Sequence, residues 1–318
     1  MVRDNHQAQI STTDPDACAL PRKMNIVEVS YNVQAAVEAE NKLITNYEVT
    51  NENDTHALSG VALEAKAVLK KERIQALADK GYDTGSELKI CAENNIETYV
   101  APRQKNTSHK HPDFVKGKFS YDGERDSYTC PEGKELLSNG NWYKKNGTDY
   151  RKVYEVQVYK LPFEVCNACV QRLDCAGQAN LNNSKGRPIE RSEYDEYLEA
   201  NRERVMLNKA LYRTRQQIVE HPFGTIKRSW GYDYTLLKTK EKVGGEMALI
   251  FTCYNLRRSM TIFGVQDLLK RLKAACLLFF APNRANLSSY KPFLFPKIKA
   301  PTFYFQNFYQ HTGQLCAA

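Results

Sequence analysis

Glu220 stands inside a basic run, R-T-R-Q-Q-I-V-E-H-P-F-G-T-I-K-R, from Arg213 to Arg228. Read as a helix, steps of three and four residues put Arg213, Gln217, Glu220, Gly224 and Lys227 on one face. Val219, Phe223, Ile226 and Trp230 fall on a neighbouring apolar face that can dock on a core. A carboxylate can hold a divalent cation, and the cations around it can hold phosphate. That seam suits metal-dependent chemistry on a nucleic acid. The same spacing also suits a solvated glutamate paired with a nearby Lys or Arg. Pro222 lacks an amide donor and clashes with the preceding turn, which predicts a kink or break next to Glu220.

Asp79 is the second acid with chemical content. It follows I-Q-A-L-A, Ile74 to Ala78, which reads as a short buried strand. In open α/β sheets ligands bind beyond the carboxyl ends of strands; the plainer role for Asp79 is to cap the loop or the following helix. Phosphoryl chemistry with two cations about 3.5–4 Å apart draws on such carboxylates, one ion activating the attacking oxygen and the other stabilising the leaving oxygen. Mg²⁺ suits this, because it takes a few carboxylates and keeps other positions for water and phosphate. A third cluster is made of thiols. Cys130 opens C-P-E-G, Cys166 and Cys169 have C-x₂-C spacing, and Cys175 follows six residues later. Four thiolates can close a tetrahedral Zn²⁺ site and stabilise a module with little core; free buried thiols in a reducing compartment are the other reading.

These side chains need elements to position them. Val27–Val37 and Leu43–Thr50 read as two antiparallel strands. Thr55–Arg73 reads as a helix, followed by strand 74–78. Thr84 and Glu87 form a capping-box pattern that starts a helix to about Asn94, and Ile96–Ala101 is the next strand. Strand-helix-strand alternation argues for an α/β layer with parallel strands. Residues 1–102 are therefore the N-terminal part of the core. Residues 103–187, rich in Gly, Asn, Lys and Tyr, read as an inserted β-rich module. Residues 188–281 return to helices that carry Glu220, and 282–318 form an irregular tail.

The formal charge of +8 over 318 residues fits a polyanionic partner, nucleic acid being the usual one. Lys227, Arg228, Lys238, Lys240, Lys242, Arg257 and Arg258 are the candidate phosphate contacts. Trp230, Tyr232 and Tyr234 lie among them; they can stack on unpaired bases or pack in the core. The longest apolar run, Ala274–Ala281, is far short of the roughly 20 residues of a membrane span. The expectation is a soluble, cytoplasmic protein with no membrane partner.

Four segments together resemble the bacterial insertion-sequence transposases of the DDE class. They are S-T-T-D-P-D-A from Ser11 leading to Y-N-V-Q-A-A-V-E from Tyr31, and A-D-K-G-Y from Ala78 with E-L-K-I-C-A-E-N-N-I-E-T-Y-V after it. C-P-E-G from Cys130 with C-N-A-C-V-Q-R-L-D-C from Cys166 is the third, and I-V-E-H-P-F-G-T-I-K-R from Ile218 with Y-N-L-R-R from Tyr254 the fourth. The resemblance implies an RNase H-like α/β core, Mg²⁺ (or Mn²⁺) dependence, cleavage of transposon ends, strand transfer into target DNA, and a possible homodimer in the synaptic complex. It gives Asp79 and Glu220 the roles of the second and third acids. It gives Lys227 a phosphate contact, with Arg213 and Arg215 as basic partners on the same helix. The family's first Asp lies on a strand upstream of the Ser11 segment. The expectation is thus an N-terminally truncated chain with an exposed sheet edge beside residues 27–37 and little activity alone. The alternative is an inactive DNA-binding remnant or a regulator of an intact transposase. Asp14 and Asp16 flank Pro15 in a turn and are poor substitutes for the missing acid.

Overall fold

The structure, a computed structural model, describes residues 11–21, 27–103, 111–145, 153–176, 186–280 and 302–312. It divides into two compact units, Met1–Pro102 with Ala200–Ala318, and Arg103–Glu199.

In the first unit, Cys18–Pro21 (β1) pairs antiparallel with Val27–Glu38 (β2), and β2 pairs antiparallel with Ile44–Thr50 (β3). The turn between β2 and β3 is built by the Glu38 carboxylate, which accepts from the backbone N–H groups of Glu40 (2.8 Å) and Asn41 (2.7 Å). After a 3₁₀ turn at Asp54–His56 the helix is shorter than its sequence pattern: Leu58–Leu69 (α1) stops where Lys70 adopts a left-handed conformation (φ 52°). Ile74–Ala78 (β4) and Ile96–Val100 (β5) are parallel, joined through Gly85–Glu93 (α2). The capping box does not form. Thr84 makes no side-chain cap bond. The buried Glu87 carboxylate instead accepts from the Ser59 N–H (2.9 Å) and hydroxyl (2.7 Å), so a tertiary contact outbids the local one.

The second unit is a sheet of short antiparallel strands in the order β11-β10-β8-β7-β6, with β9 also on β10. These are Ser120–Asp122 (β6), Ser127–Thr129 (β7), Glu135–Ser138 (β8), Tyr143–Lys145 (β9), Tyr154–Lys160 (β10) and Ile189–Ser192 (β11). Phe163–Asn167 (α3) and Arg172–Ala176 (α4) are single helical turns. Because β11 pairs with β10, the β-rich unit runs beyond Arg187, where the sequence pattern turns helical.

The chain returns to the first unit along Asp195–Leu207 (α5) and Lys209–Phe223 (α6), then Lys240–Phe263 (α7) and Val265–Phe280 (α8). The odd-numbered residues of β2, Tyr31, Val33, Ala35 and Val37, share one buried cluster with Val219 and Phe223 of α6 and Met247 and Phe251 of α7. The even-numbered residues face the other side, towards α1. There Asn46 of β3 donates to the Val61 carbonyl (3.1 Å), and Asn32 of β2 reaches Asp54.

The tail contradicts its irregular reading. Thr302–Thr312 (β13) is a strand in the interior of the sheet, with order β1-β2-β13-β4-β5. It pairs antiparallel with β2 from Phe303↔Glu38 to His311↔Ser30, and parallel with β4 from Thr302↔Gln75 to Tyr304↔Leu77. The expected exposed edge beside residues 27–37 is therefore absent: β1 and β3 take one side of β2 and β13 takes the other. Tyr234–Thr235 (β12) adds to β13 in parallel. The rest of the tail lies outside the described residues. Among the described residues no helix is long and apolar enough to cross a membrane.

Candidate functional site

Asp79 follows the last residue of β4 in extended backbone and caps the 3₁₀ turn Lys80–Tyr82; its carboxylate accepts from the Gly81 N–H at 2.7 Å. The capping role foreseen for it is real, and it leaves the second carboxylate oxygen available. A second acid stands beside it that sequence reading missed. Asp54 opens the turn after β3, and its Oδ1 accepts from the amides of Asn32 (2.8 Å) and Gln34 (3.1 Å) on β2. Gln34 in turn accepts from the Tyr82 hydroxyl. A Cβ on Gly81 would come within 2.7 Å of Asp54 Oδ2 and 2.9 Å of Asp79 Oδ1. The two carboxylates thus bracket one glycine, and any larger residue there would push at least one of them aside. Asn32, fully buried, leaves its Oδ1 without a hydrogen-bond partner at this same corner. The signal for Asp54 lay in β2: two amides, Asn32 and Gln34, in the buried stretch of the strand must find partners.

Helix α6 reaches the end of β4 through Tyr212, whose hydroxyl donates to the Ala78 carbonyl at 3.1 Å. Burial pushes that hydroxyl above its usual range, while the Arg215 guanidinium pulls it down and the Asp79 charge adds to the rise. Arg215 lies 5.6 Å from the Tyr212 ring centre. Glu220 sits eight residues further along α6, about 12 Å of helical rise. It is exposed, and its carboxylate accepts from Gln216 Nε2 at 2.7 Å. The helix is held upstream by α5. The Asn201 amide donates to the Val100 carbonyl (2.8 Å) and accepts from the Val100 N–H (2.9 Å), sealing the outer row of β5.

Pro222 does not break the helix next to Glu220. It is buried within α6, and the change comes two residues later, where Gly224–Ser229 becomes π-helical. The wider turn, with Trp230 N–H bonding the Thr225 carbonyl at 3.0 Å, changes the angular step past Glu220. Lys227 therefore does not follow the α-helical seam drawn from the sequence. Val219, Phe223 and Ile226 are buried, and the half-buried Trp230 packs against the same cluster, as the core-packing alternative has it.

Of the cations, Arg213, Arg228, Lys238 and Arg257 are exposed, and Arg215, Lys227 and Arg258 are half-buried. Arg258 donates through Nε to the Asn41 carbonyl (2.8 Å) and braces the β2–β3 turn. Arg257 lies 6.0 Å from the Trp230 ring centre. Asp14 is enclosed: both oxygens accept from the Tyr31 hydroxyl at 2.9 Å. Asp16 accepts from the Lys240 N–H at 3.0 Å, so both acids fasten the start of α7. His221 Nδ1 and the Tyr254 hydroxyl share a hydrogen bond of 2.8 Å.

Among the described residues no three His, Cys, Asp or Glu side chains already converge closely enough to hold a metal ion. No curated protein and no solved structure matches the chain. A family model, the transposase DDE domain, matches residues 27–256. That span takes in both acids of the β4 corner, the whole β-rich unit and Glu220, and it covers well over half of the sequence. The chain belongs to the transposase DDE domain family.

Proposed function

We propose that the protein is a DDE transposase that cuts DNA at transposon ends with the aid of Mg²⁺ (or Mn²⁺) and joins the freed 3′-hydroxyl to target DNA. The observation that carries this reading is the pair of carboxylates, Asp54 and Asp79, packed around Gly81 at the C-terminal end of β4. The sheet supports it: antiparallel neighbours on one side, a parallel pair on the other and helices on both faces agree with an RNase H-like core.

The residues fit a hard cation. Two carboxylates and the orphaned Asn32 Oδ1 supply oxygen donors, the ligand type Mg²⁺ prefers. Asp79 and Asp54 would hold the ion; Glu220, the third acid that the resemblance implies, stands on α6, which packs on the other face of β2, and would have to move towards this corner to join them. When bound, the ion lowers the pKa of water and stabilises the leaving oxygen. The chain's own work is positional. Gly81 keeps the two acids together, Tyr212 docks α6 on the strand end, and Arg213, Arg215, Lys227, Arg228, Lys238 and Arg257 hold the phosphate backbone. The protein would act in the cytoplasm, as a homodimer bridging two ends.

The test is nicking of end-bearing DNA by purified protein in Mg²⁺. Asp79→Ala is expected to reduce the rate at least about 10³-fold, the scale for losing a group that stabilises developing charge. A variant as active as the parent defeats the reading. A second reading, DNA binding without cutting, is favoured by one feature: β13, the strand beside β4, carries no Asp or Glu between Thr302 and Thr312. Salt-sensitive DNA binding with no cleavage in Mg²⁺ or Mn²⁺ selects it.

A further inference from the structure

The β-rich unit holds thiols that DNA cleavage does not use. Cys130, Cys166, Cys169 and Cys175 all line one cavity of about 50 Å³. They arrive from separate stretches: Cys130 from the turn after β7, Cys166 from α3, Cys169 just beyond it, and Cys175 from α4. All four are half-buried and none is in a disulfide.

Each side of the cavity is shaped for sulfur. After Cys130 the chain folds back in a tight turn with Gly133 at φ 73°. The Lys134 N–H there points at Cys130 Sγ (3.3 Å), and the Cys130 N–H returns to the Lys134 carbonyl (2.8 Å). Opposite, the Cys169 N–H bonds the Cys166 carbonyl (3.3 Å), closing the C-x₂-C turn. Gly186 lies so close that a Cβ there would stand 2.7 Å from Cys166 Sγ. Arg187 bonds the Cys175 carbonyl (3.0 Å) and places its guanidinium 4.0 Å from Cys175 Sγ, a counter-charge for negative sulfur. The unit needs such a tie: its apolar cluster is Phe119, Tyr128, Leu136, Tyr159 and Ile189, with Cys130 and Cys175 at its margin.

We propose that Cys130, Cys166, Cys169 and Cys175 form a structural Zn²⁺ centre that fastens α3, α4 and the β7–β8 turn to the sheet of the β-rich unit. Sulfur-only tetrahedral sites select zinc, with Zn–S bonds of about 2.3 Å. The thiols surround the cavity without yet converging on one point. Coordination would require the four sulfurs to move inward towards one point. Each thiol gives its proton to solvent as its S–Zn bond forms, and nothing is oxidised or reduced. The centre stands independently of the transposition reading.

The full chain, purified under reducing conditions, is assayed for zinc by elemental analysis and for the thiolate-to-metal absorption band after replacement with Co²⁺. One zinc per chain and a thiolate band that saturates at one equivalent of Co²⁺ are expected. Cys130→Ser, Cys166→Ser, Cys169→Ser and Cys175→Ser each lower the affinity at least about tenfold. Cys253→Ser, at an exposed thiol of the first unit, leaves it unchanged. The cobalt band of the unsubstituted chain needs no variant to fold. Absence of both zinc and the band, or full zinc retained by all four variants, overturns the proposal. Either result leaves DNA cleavage unaffected as a test of the transposase reading.

Discussion

The two units solve the same problem with different means. The first buries both faces of a broad sheet, so its stability rests on apolar area contributed by α6 and α7 on one side and by α1 and α2 on the other. That surplus lets it hold Asn32, Gln34 and Asp54 as a buried polar corner, which is where the candidate site lies. The second has short strands around a small cluster and leans on directional contacts. The Arg191 guanidinium lies 3.6 Å from the Tyr121 ring centre, pairs with both Glu199 oxygens at 2.8 Å and donates to the Tyr128 hydroxyl at 3.1 Å. A large core tolerates a buried polar corner; a small one needs ties.

The contrast breaks most sharply at Phe251. Its ring is 3% exposed and meets Tyr47 edge-on at 5.2 Å. Phe251→Ala should cost about 3–5 kcal/mol in urea unfolding, the range for a truncated core aromatic. A cost below about 1 kcal/mol would mean that the first unit does not depend on that cluster.

Next in size is Arg191→Met, which keeps much of the stem and removes every directional contact. The expected loss is about 2–3 kcal/mol, since it breaks charge-assisted bonds and a cation–ring contact together. If Met restores full stability, packing rather than charge supports the second unit. Asn201→Leu should cost about 1–3 kcal/mol, because it orphans both the N–H and the carbonyl of Val100. Hydrogen exchange checks it directly: the β5 amides should lose protection while those of β2 keep theirs.

How much of this was legible in the letters differs by element. Strands 27–38, 74–78 and 96–100 announce themselves through β-branched runs and breakers, and Asp79 follows from its place after one of them. β13 does not. Its aromatic and Thr content carries β-propensity, yet its lack of alternation hides a strand that becomes visible only when β2 and β4 offer it two rows of backbone groups. Asp54 was harder to read for a similar reason: the buried amides of β2 call for partners, but Asn32 and Asp79 are remote from it in sequence and meet it only through the fold. The Thr84–Glu87 pattern failed because Ser59, 28 residues from Glu87, made the better offer. Pro222 misled because α6 carries it without breaking, and the irregular turn falls downstream of it, at Gly224–Ser229.

The smallest effect is also the most specific to the second unit. Asp195 is 6% exposed at the start of α5. It pairs with Lys116 and accepts from the Ser192 hydroxyl (2.9 Å) and N–H (3.2 Å). Burial alone would push its carboxyl up, but the Lys116 charge and the Ser192 bonds outweigh burial, and the net shift is downward. A carboxylate held below its usual range in the folded state contributes stability that is fully present above the unfolded value, about pH 4. That contribution disappears as pH falls through the lower, folded value. Asp195→Asn should therefore cost about 1–2 kcal/mol at pH 7. The gap to the parent should close progressively below about pH 4, as the parent's carboxylate takes up its proton and the ion pair is lost. Urea titrations of both proteins from pH 7 to pH 2 read this directly. A gap that stays constant across the range would show that Asn fails through shape and hydrogen bonding, and that the Lys116 charge does nothing for the unit.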